Sequence, residues 1–510
     1  MAASDLAPRL ARNSFYHAIR SVIALVVMLL VTPFIINIIG LEQYGLWALV
    51  GVVTSYAQLS DFGIGESVVK FAAEYHVVRD SDKLNRLLNT VLVTYLGLAL
   101  LIGGALLLLL PLIASDLLHI PPPLQTEAIL IFRLAVVIFF ANMIMGVFTA
   151  LVTATQQIGY TTAISIASTL LGLAGTVFFL SQGFGLRGLM ATNAMVAAFV
   201  ATLSCIVAWR LYPQLRINPL RWLDRAMFRQ LFGYSWKVQI ANLAQLLIFQ
   251  VDRILLSRYL GLEAVAFYEI GSSFALYART FVLALFSPML PAVSELHVRN
   301  EHFFLAGLYR RSMKFMAMIA IPFGLLVIGL AHPFIRSWMG EGYGLAATTL
   351  QLLLPLYLLN ILTSPGTYIL NGINRPEIAM KGALLAGVTN LFLCFILVKT
   401  IGYFGLIAGI ATSLTLAAGY LFLMIHRNLP EIDSRLYSAV FLRPLLFSLP
   451  AAFLLHFFFS IESINGILPI ILAAGIYLGG AILVILQGNY LDDFERRILF
   501  GVFSRRSEGR

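Results

Sequence analysis

Charged side chains stand inside otherwise apolar stretches at Arg20, Asp61, Lys237, Asp252, Arg253, Glu269 and Arg279. A charge at the centre of a bilayer costs about 2.5–3.5 kcal/mol, so each position implies a partner or a function. At a rise of about 1.5 Å per helical residue, Arg20 and Lys237 lie roughly 10 Å inside the hydrocarbon, and Arg279 reaches a comparable level. Cations at one depth make a basic chamber suited to phosphate, arginine giving bidentate contacts and lysine a point charge. The alternative is that the long stems carry these charges out to the interface.

In "FQVDRILLSRYLG" Asp252 and Arg253 come two turns before the end of one apolar run, and Glu269 follows two turns into the next. An acid at that depth binds a proton or Na⁺, or neutralises the neighbouring arginine. In "YAQLSDFGIGESVVKFAAEY" Asp61 sits about 25 Å along its helix, near the inner edge of the hydrocarbon. It is expected to face the same chamber opposite Arg279. Gly63 and Gly65 permit close packing or a bend. Glu66, Lys70 and Glu74 follow at steps of four and read as a salt-bridged ladder emerging into water.

The elements that position these residues follow from composition. Of 510 residues, 60% are hydrophobic and 11% charged, against about 25% charged in soluble domains, so the chain is an integral membrane protein. A lipid-exposed backbone must satisfy its own hydrogen bonds, which selects an all-α fold. The net charge of +10 is spread over short connections, where it orients the chain, and no nucleic-acid partner is expected. Cys205 and Cys394 lie in separate apolar runs and imply neither a disulfide nor a metal site. Arg9 and Arg12 precede an apolar run too long for a secretory signal, which reads as a retained first helix.

Apolar runs and their breakers give about 14 transmembrane helices, the second spanning 44–70 and the seventh 230–257. An even number puts both termini on one side. About 27 of the 34 lysines and arginines fall on that side, making it cytoplasmic. "IGLEQYG" recurs as "LGLEAVA", and "AAEYHVV" as "VSELHVR", at one constant offset; "FGLRGLMAT" and "FGLIAGIAT" match at one residue less. Helices 1–6 and 7–12 are therefore parallel-oriented copies of a six-helix unit, the arrangement transporters use to rock two bundles around a central site. The expected domains are an N-terminal lobe at 1–214, a C-terminal lobe at 215–430, two added helices at 431–490 and a cytoplasmic amphipathic tail at 491–510.

No catalytic constellation is present: there is no Gly-Lys phosphate loop, no Gly-x-Ser-x-Gly and no zinc-binding His-Glu pattern. "DSD" at Asp80–Asp82 reads as a solvated turn, and the connections are too short for a catalytic domain. An enzyme is not expected.

"GLEQYGLWALVGVVTSYAQLSDFGIGESVVKFAAEY", "DRILLSRYLGLEAVAFY" and "LNGINRPEIA" resemble the polysaccharide exporters of the multidrug/oligosaccharidyl-lipid/polysaccharide flippase superfamily, and in particular O-antigen (Wzx-type) flippases. Gly40, Tyr44, Gly45, Asp61, Gly63, Asp252 and Arg253 carry the match. The resemblance implies a MATE-like fold in the cytoplasmic (inner) membrane. It implies transfer of a polyprenyl-pyrophosphate-linked glycan from the inner to the outer leaflet by alternating access. No cofactor is implied beyond H⁺ or Na⁺ as a coupling ion, and the partners are the lipid-linked glycan and membrane lipid, with polysaccharide polymerase and chain-length machinery as candidates. Arg20, Lys237, Arg279 and Arg253 would hold the pyrophosphate; Asp61, Asp252 and Glu269 would couple an ion or pair with a base. Tyr56, Trp236, Phe249 and Tyr277 could stack on sugars, ordinary packing being the alternative. A second reading is a cation-coupled multidrug exporter of the same fold.

Overall fold

The computed structural model describes residues 22–155, 158–286, 289, 293, 302–373, 375–428, 435–461, 466–487, 490–492 and 495. Among them no strand occurs. The long helices in chain order are α1 (Val22–Ile39), α2 (Leu41–Ala57), α3 (Ile64–Val77), α4 (Ser81–Leu117), α5 (Pro122–Ala154), α6 (Ile158–Ser181), α7 (Gly185–Leu211), α8 (Arg225–Phe249), α9 (Val251–Leu260), α10 (Leu262–Phe286), α11 (His302–Met339), α12 (Gly344–Gly372), α13 (Pro376–Ile401), α14 (Tyr403–Asn428), α15 (Arg435–Ile461) and α16 (Ile467–Gln487). Among the described residues, 11 of these helices are long and apolar enough to cross a membrane, and the chain is an all-α integral membrane protein. The expected second, seventh and eighth spans are the exceptions. They are also the stretches that carry Asp61, Asp252, Arg253, Glu269 and Arg279, so apolarity is lost where the candidate site residues sit.

Two expected helices are interrupted. The stretch 44–70 is not continuous: α2 tightens into a 3₁₀ turn at Gln58–Asp61, Phe62 and Gly63 turn left-handed at φ 51° and 75°, and α3 restarts at Ile64. Gly63 adopts that backbone at little cost, whereas Phe62 is an uncommon occupant. Gly63 thus serves the bend rather than close packing. The stretch 230–257 breaks at Gln250, whose φ of −125° separates α8 from α9. In α4 the helix widens to π turns at Ala99–Gly103 and Ile113–Leu117 on either side of Pro111.

The repeat has a backbone counterpart. Gly40 and Gly261, equivalent in the two copies, take φ/ψ of 83°/167° and 87°/176° and each immediately precedes a helix. An L side chain rarely adopts that geometry, so both copies require glycine there.

The chain forms two compact units, Met1–Ile270 with Ala383–Ser413, and Gly271–Gly382 with Leu414–Arg510. Helices α10, α13 and α14 contribute to both. The units cut across the lobes expected at 1–214 and 215–430, because α8, α9 and the start of α10 are fastened to the first half of the chain. Gly45 of α2 makes one fastening: a Cβ there would overlap the carbonyl oxygen of Leu262. Such close approach through small residues drives association in lipid, where apolar burial gives little. The connection after α7 makes another. Asn85 donates to the Gln214 carbonyl at 3.1 Å and accepts from Arg216 N–H at 2.7 Å; Asn89 donates to the Arg216 carbonyl at 2.8 Å and accepts from Asn218 N–H at 2.8 Å. The two asparagines, one turn apart on α4, thereby pair with the linker as a neighbouring strand would. Asp224 caps α8 and accepts from Arg86 at 3.1 Å; that hydrogen bond, the largest influence on it, lowers its carboxyl pKa below the usual range.

In the second unit, α11, α12, α14 and α15 enclose a core containing Tyr309, Met313, Met316 and Ile369, where the Tyr309 hydroxyl meets that of Tyr437 at 2.9 Å. Of the expected tail, only Leu491, Asp492 and Glu495 are described. Leu491 and Glu495 are buried, as is Tyr490 just before it, and Lys314 donates to Glu495 at 3.0 Å, so these residues dock on protein. The rest of the tail lies outside the described residues.

Candidate functional site

The first unit holds a cavity of about 1170 Å³. One wall is α2 and the turn after it, which present Trp47, Gly51, Thr54 and Gln58; the α5 wall presents Asn142, Gly146, Thr149 and Thr153. Both series advance by four, three and four residues, which keeps them on one helical face. Asn193 of α7, Asn242 of α8, Glu66 of α3 and Glu269 of α10 complete the polar lining, with Tyr44 near Trp47. Of these helices, α5 and α7 are apolar enough to cross a membrane.

Asp61 lies in this wall, at the helix interruption. Its carboxylate accepts the Gly65 N–H at 3.2 and 3.3 Å, and the Tyr95 hydroxyl donates to it as well. It therefore caps α3, where the helix dipole favours negative charge. Gln239 donates to the Leu59 carbonyl at 2.7 Å and satisfies another group released by the break. A discontinuous helix at membrane depth is tolerated where it lines a cavity.

Behind the cavity, Arg253 is 8% exposed. It donates to Glu269 and, at 2.6 Å, to the Phe249 carbonyl at the end of α8, while its guanidinium stands 5.7 Å from the Tyr268 ring centre. Asp252, 1% exposed, accepts from the Tyr268 hydroxyl at 2.7 Å and from Asn390 at 3.3 Å. Asn390 also accepts from Cys394 and Ser413. The pair Asp252 and Arg253 thus points to two adjoining networks, one closed and buried, the other reaching the cavity through Glu269.

The expected site residues are therefore distributed. Asp61 and Glu269 line one cavity; Asp252 is buried, and Arg253 is committed to Glu269 and the helix end, which gives it a positioning role in place of phosphate contact. Arg279 belongs to the second unit, where it is half-buried and donates to Asn360 at 2.9 Å. Arg20 lies outside the described residues, as does the side chain of Lys237 on α8. Among the described lining residues the charges are the carboxylates of Asp61, Glu66 and Glu269, with no lysine or arginine. A basic lining was expected, and this wall is acidic. Glu66, read as part of an emerging ladder, belongs to the cavity.

The sequence reading rests on charges and aromatic rings and so misses the amides Gln58, Asn142, Asn193 and Asn242. Their signal was present, as isolated amides in apolar runs at helical spacing from small residues. Of the aromatics singled out, Tyr56, Phe249 and Tyr277 are not among the lining residues and the Trp236 side chain lies outside the described ones; Tyr44 and Trp47 take that place.

Comparison with known proteins gives a consistent result. A sequence profile for polysaccharide biosynthesis proteins matches residues 10–297, and one for MatE proteins matches residues 238–396. An uncharacterized membrane protein of Bacillus subtilis, EpsK, is 23% identical over 394 residues, 76% of each chain. A provisionally named O-antigen transporter of Shigella flexneri is 22% identical over 339 residues, 65% of this chain and 76% of that one. Among solved structures, the lipid II flippase MurJ in an inward closed conformation superposes with a TM-score of 0.72 at 14% identity, covering 93% of this chain and 98% of that one. An inward-facing MATE multidrug resistance transporter gives 0.69 at 15% identity, covering 81% and 98%. The fold is MATE-like.

Proposed function

We propose, from the premise that this chain belongs to the family of polysaccharide biosynthesis proteins, that it carries a lipid-linked oligosaccharide across the membrane. The observation that carries the reading is a cavity of about 1170 Å³ walled by amides, hydroxyls and carboxylates within an integral membrane protein, two of its walls, α5 and α7, being helices apolar enough to span. Polar groups at that depth serve a water-filled path for polar cargo. The likeness to an O-antigen transporter and to a lipid II flippase supports lipid-linked cargo.

In this reading the carrier is a polyprenyl pyrophosphate and the direction is inner to outer leaflet of the cytoplasmic membrane, by alternating access, with both termini in the cytoplasm. The lipid tail stays in the bilayer. Arg279, Arg20 and Lys237 are each candidates to contact the pyrophosphate, while Arg253 positions Glu269. Asp61, Asp252 and Glu269 are the candidates for H⁺ or Na⁺ coupling, since neutralising a carboxylate at low dielectric changes which conformation is favoured. A polysaccharide polymerase would consume the product on the far side. Arg279→Gln keeps a donor for Asn360 and removes the charge. It should cut surface glycan at least about tenfold, as expected for a lost charged contact worth about 1.4 kcal/mol or more, at unchanged protein level. Normal glycan in that variant would remove Arg279 from the site.

The carboxylates on the wall and the MatE profile match favour one other reading, a cation-coupled exporter of organic cations. Raised resistance to lipophilic cations on expression, with no effect on surface glycan, would select it.

A further inference from the structure

The cavity wall is poor in the chemistry that binds phosphate and rich in the chemistry that binds sugar hydroxyls. We propose that the cavity of the first unit is a sugar site, which receives the neutral or N-acetylated glycan of the cargo and disfavours acidic sugars and the pyrophosphate itself. The proposal rests on the flippase reading for the identity of the cargo, and on the geometry for the site.

Gln58, Asn142, Asn193 and Asn242 line the cavity, and no described residue hydrogen-bonds to their side-chain amides. An amide offers two donors and an acceptor, matching hydroxyls that both give and take a hydrogen bond, whereas lysine and arginine only donate. Amides left without partners in a span are costly unless water or a ligand satisfies them. Trp47 supplies an apolar face of the kind that stacks on a sugar ring.

Space is provided deliberately as well. Gly51 and Gly146 stand in facing walls, and a Cβ built on either meets nothing within 4 Å. Unlike Gly45, neither serves close helix packing, so both enlarge the cavity. Its volume exceeds the roughly 300–1,000 Å³ of drug-sized sites, and the polar series from Trp47 to Gln58 extends roughly 16 Å along the helix. Both dimensions suit more than one sugar ring.

Charge then sets the selection. Asp61, Glu66 and Glu269 line the cavity, Glu269 with its charge met by Arg253 behind the wall, and no described lysine or arginine lines it. A uronate or a pyrophosphate entering there meets the carboxylates of Asp61 and Glu66 and no described basic side chain, whereas a neutral sugar finds strong acceptors for its hydroxyls.

The test uses full-length protein in lipid nanodiscs and two soluble probes, N,N′-diacetylchitobiose and a glucuronate-containing disaccharide, read by saturation-transfer NMR and tryptophan fluorescence. The neutral disaccharide should bind, the acidic one at least about tenfold more weakly, and Glu66→Gln should narrow that gap. Gly146→Leu, which has room, should abolish binding while the melting temperature stays unchanged or rises. Binding of both probes with equal affinity, absence of binding by either, or binding that survives Gly146→Leu would overturn the sugar site. If chitobiose binds as expected while reconstituted protein moves no lipid-linked glycan, the site stands and the flippase reading falls. If glycan is moved at the normal rate by Gly146→Leu, the reverse holds.

Discussion

Replacing Arg253 with methionine keeps most of the side-chain volume and removes its charge from a place where little water reaches. Arg253 and Glu269 are 10% and 20% exposed at their side chains. Removing one partner of a buried ion pair costs about 3–5 kcal/mol, because the other charge is left uncompensated. The partial opening of Glu269 to the cavity puts the value near the lower end, about 3 kcal/mol. The Phe249 carbonyl, at the break between α8 and α9, also loses its guanidinium donor, which adds about 1 kcal/mol. The single variant should therefore lose about 4 kcal/mol. Arg253→Met combined with Glu269→Met removes both charges and keeps the loss of the guanidinium at the Phe249 carbonyl, so it should lose about 1 kcal/mol; the second substitution thereby restores about 3 kcal/mol instead of adding to the loss. Reversible unfolding in mixed micelles, monitored by circular dichroism across the four proteins of the cycle, measures this. A double variant as unstable as Arg253→Met would show that the pair is not what Arg253 contributes.

Gly45→Ala should lose folded protein in detergent, because the new methyl group overlaps the Leu262 carbonyl, whereas Gly51→Ala should be neutral or more stable by up to about 1 kcal/mol; size-exclusion yield and melting temperature separate them. Asn89→Ala leaves the Arg216 carbonyl and the Asn218 N–H without their partner and should cost about 1–3 kcal/mol, with proteolysis of the linker at 212–224 accelerated. Asp224→Ala should cost about 1 kcal/mol as a lost cap. Because Arg86 depresses the Asp224 pKa, that contribution is fully present above the unfolded carboxylate value of about 3.9 and is lost as pH falls through the lower folded value, so melting curves of wild type and variant should converge in acid. Tyr95→Phe removes a donor from the Asp61 carboxylate and should cost about 1.5–3 kcal/mol.

Much of the architecture is legible in the sequence because lipid imposes it. Apolar runs bounded by Gly, Pro and charge define spans, and Gly40 and Gly261 disclose the repeat both in sequence and in backbone angle. The interruptions were harder to read. Asp61 followed by two glycines signals a break only if the acid is seen as a cap for the next helix, and Gln250 gives no comparable sign. At the site, depth offers the pairing of Arg253 with Glu269 as one alternative beside ion binding, whereas it gives no sign of the character of the cavity wall. Amides and threonines are too weakly polar to disrupt an apolar run, so Asn142 and Thr149 pass as span residues until α2, α5 and α7 are brought around one space. The expected basic level rested on helical depth, which gives distance along the normal and says nothing of direction around the axis.

The central claim is that this chain passes a lipid-linked glycan between leaflets. Purified protein reconstituted in liposomes with polyprenyl-pyrophosphate glycans, scored for leaflet exchange with and without imposed H⁺ and Na⁺ gradients, tests it directly. The account predicts exchange well above that of protein-free vesicles, altered by one of the gradients. Exchange at the protein-free rate with every such glycan, from protein shown to be folded and inserted, would contradict it.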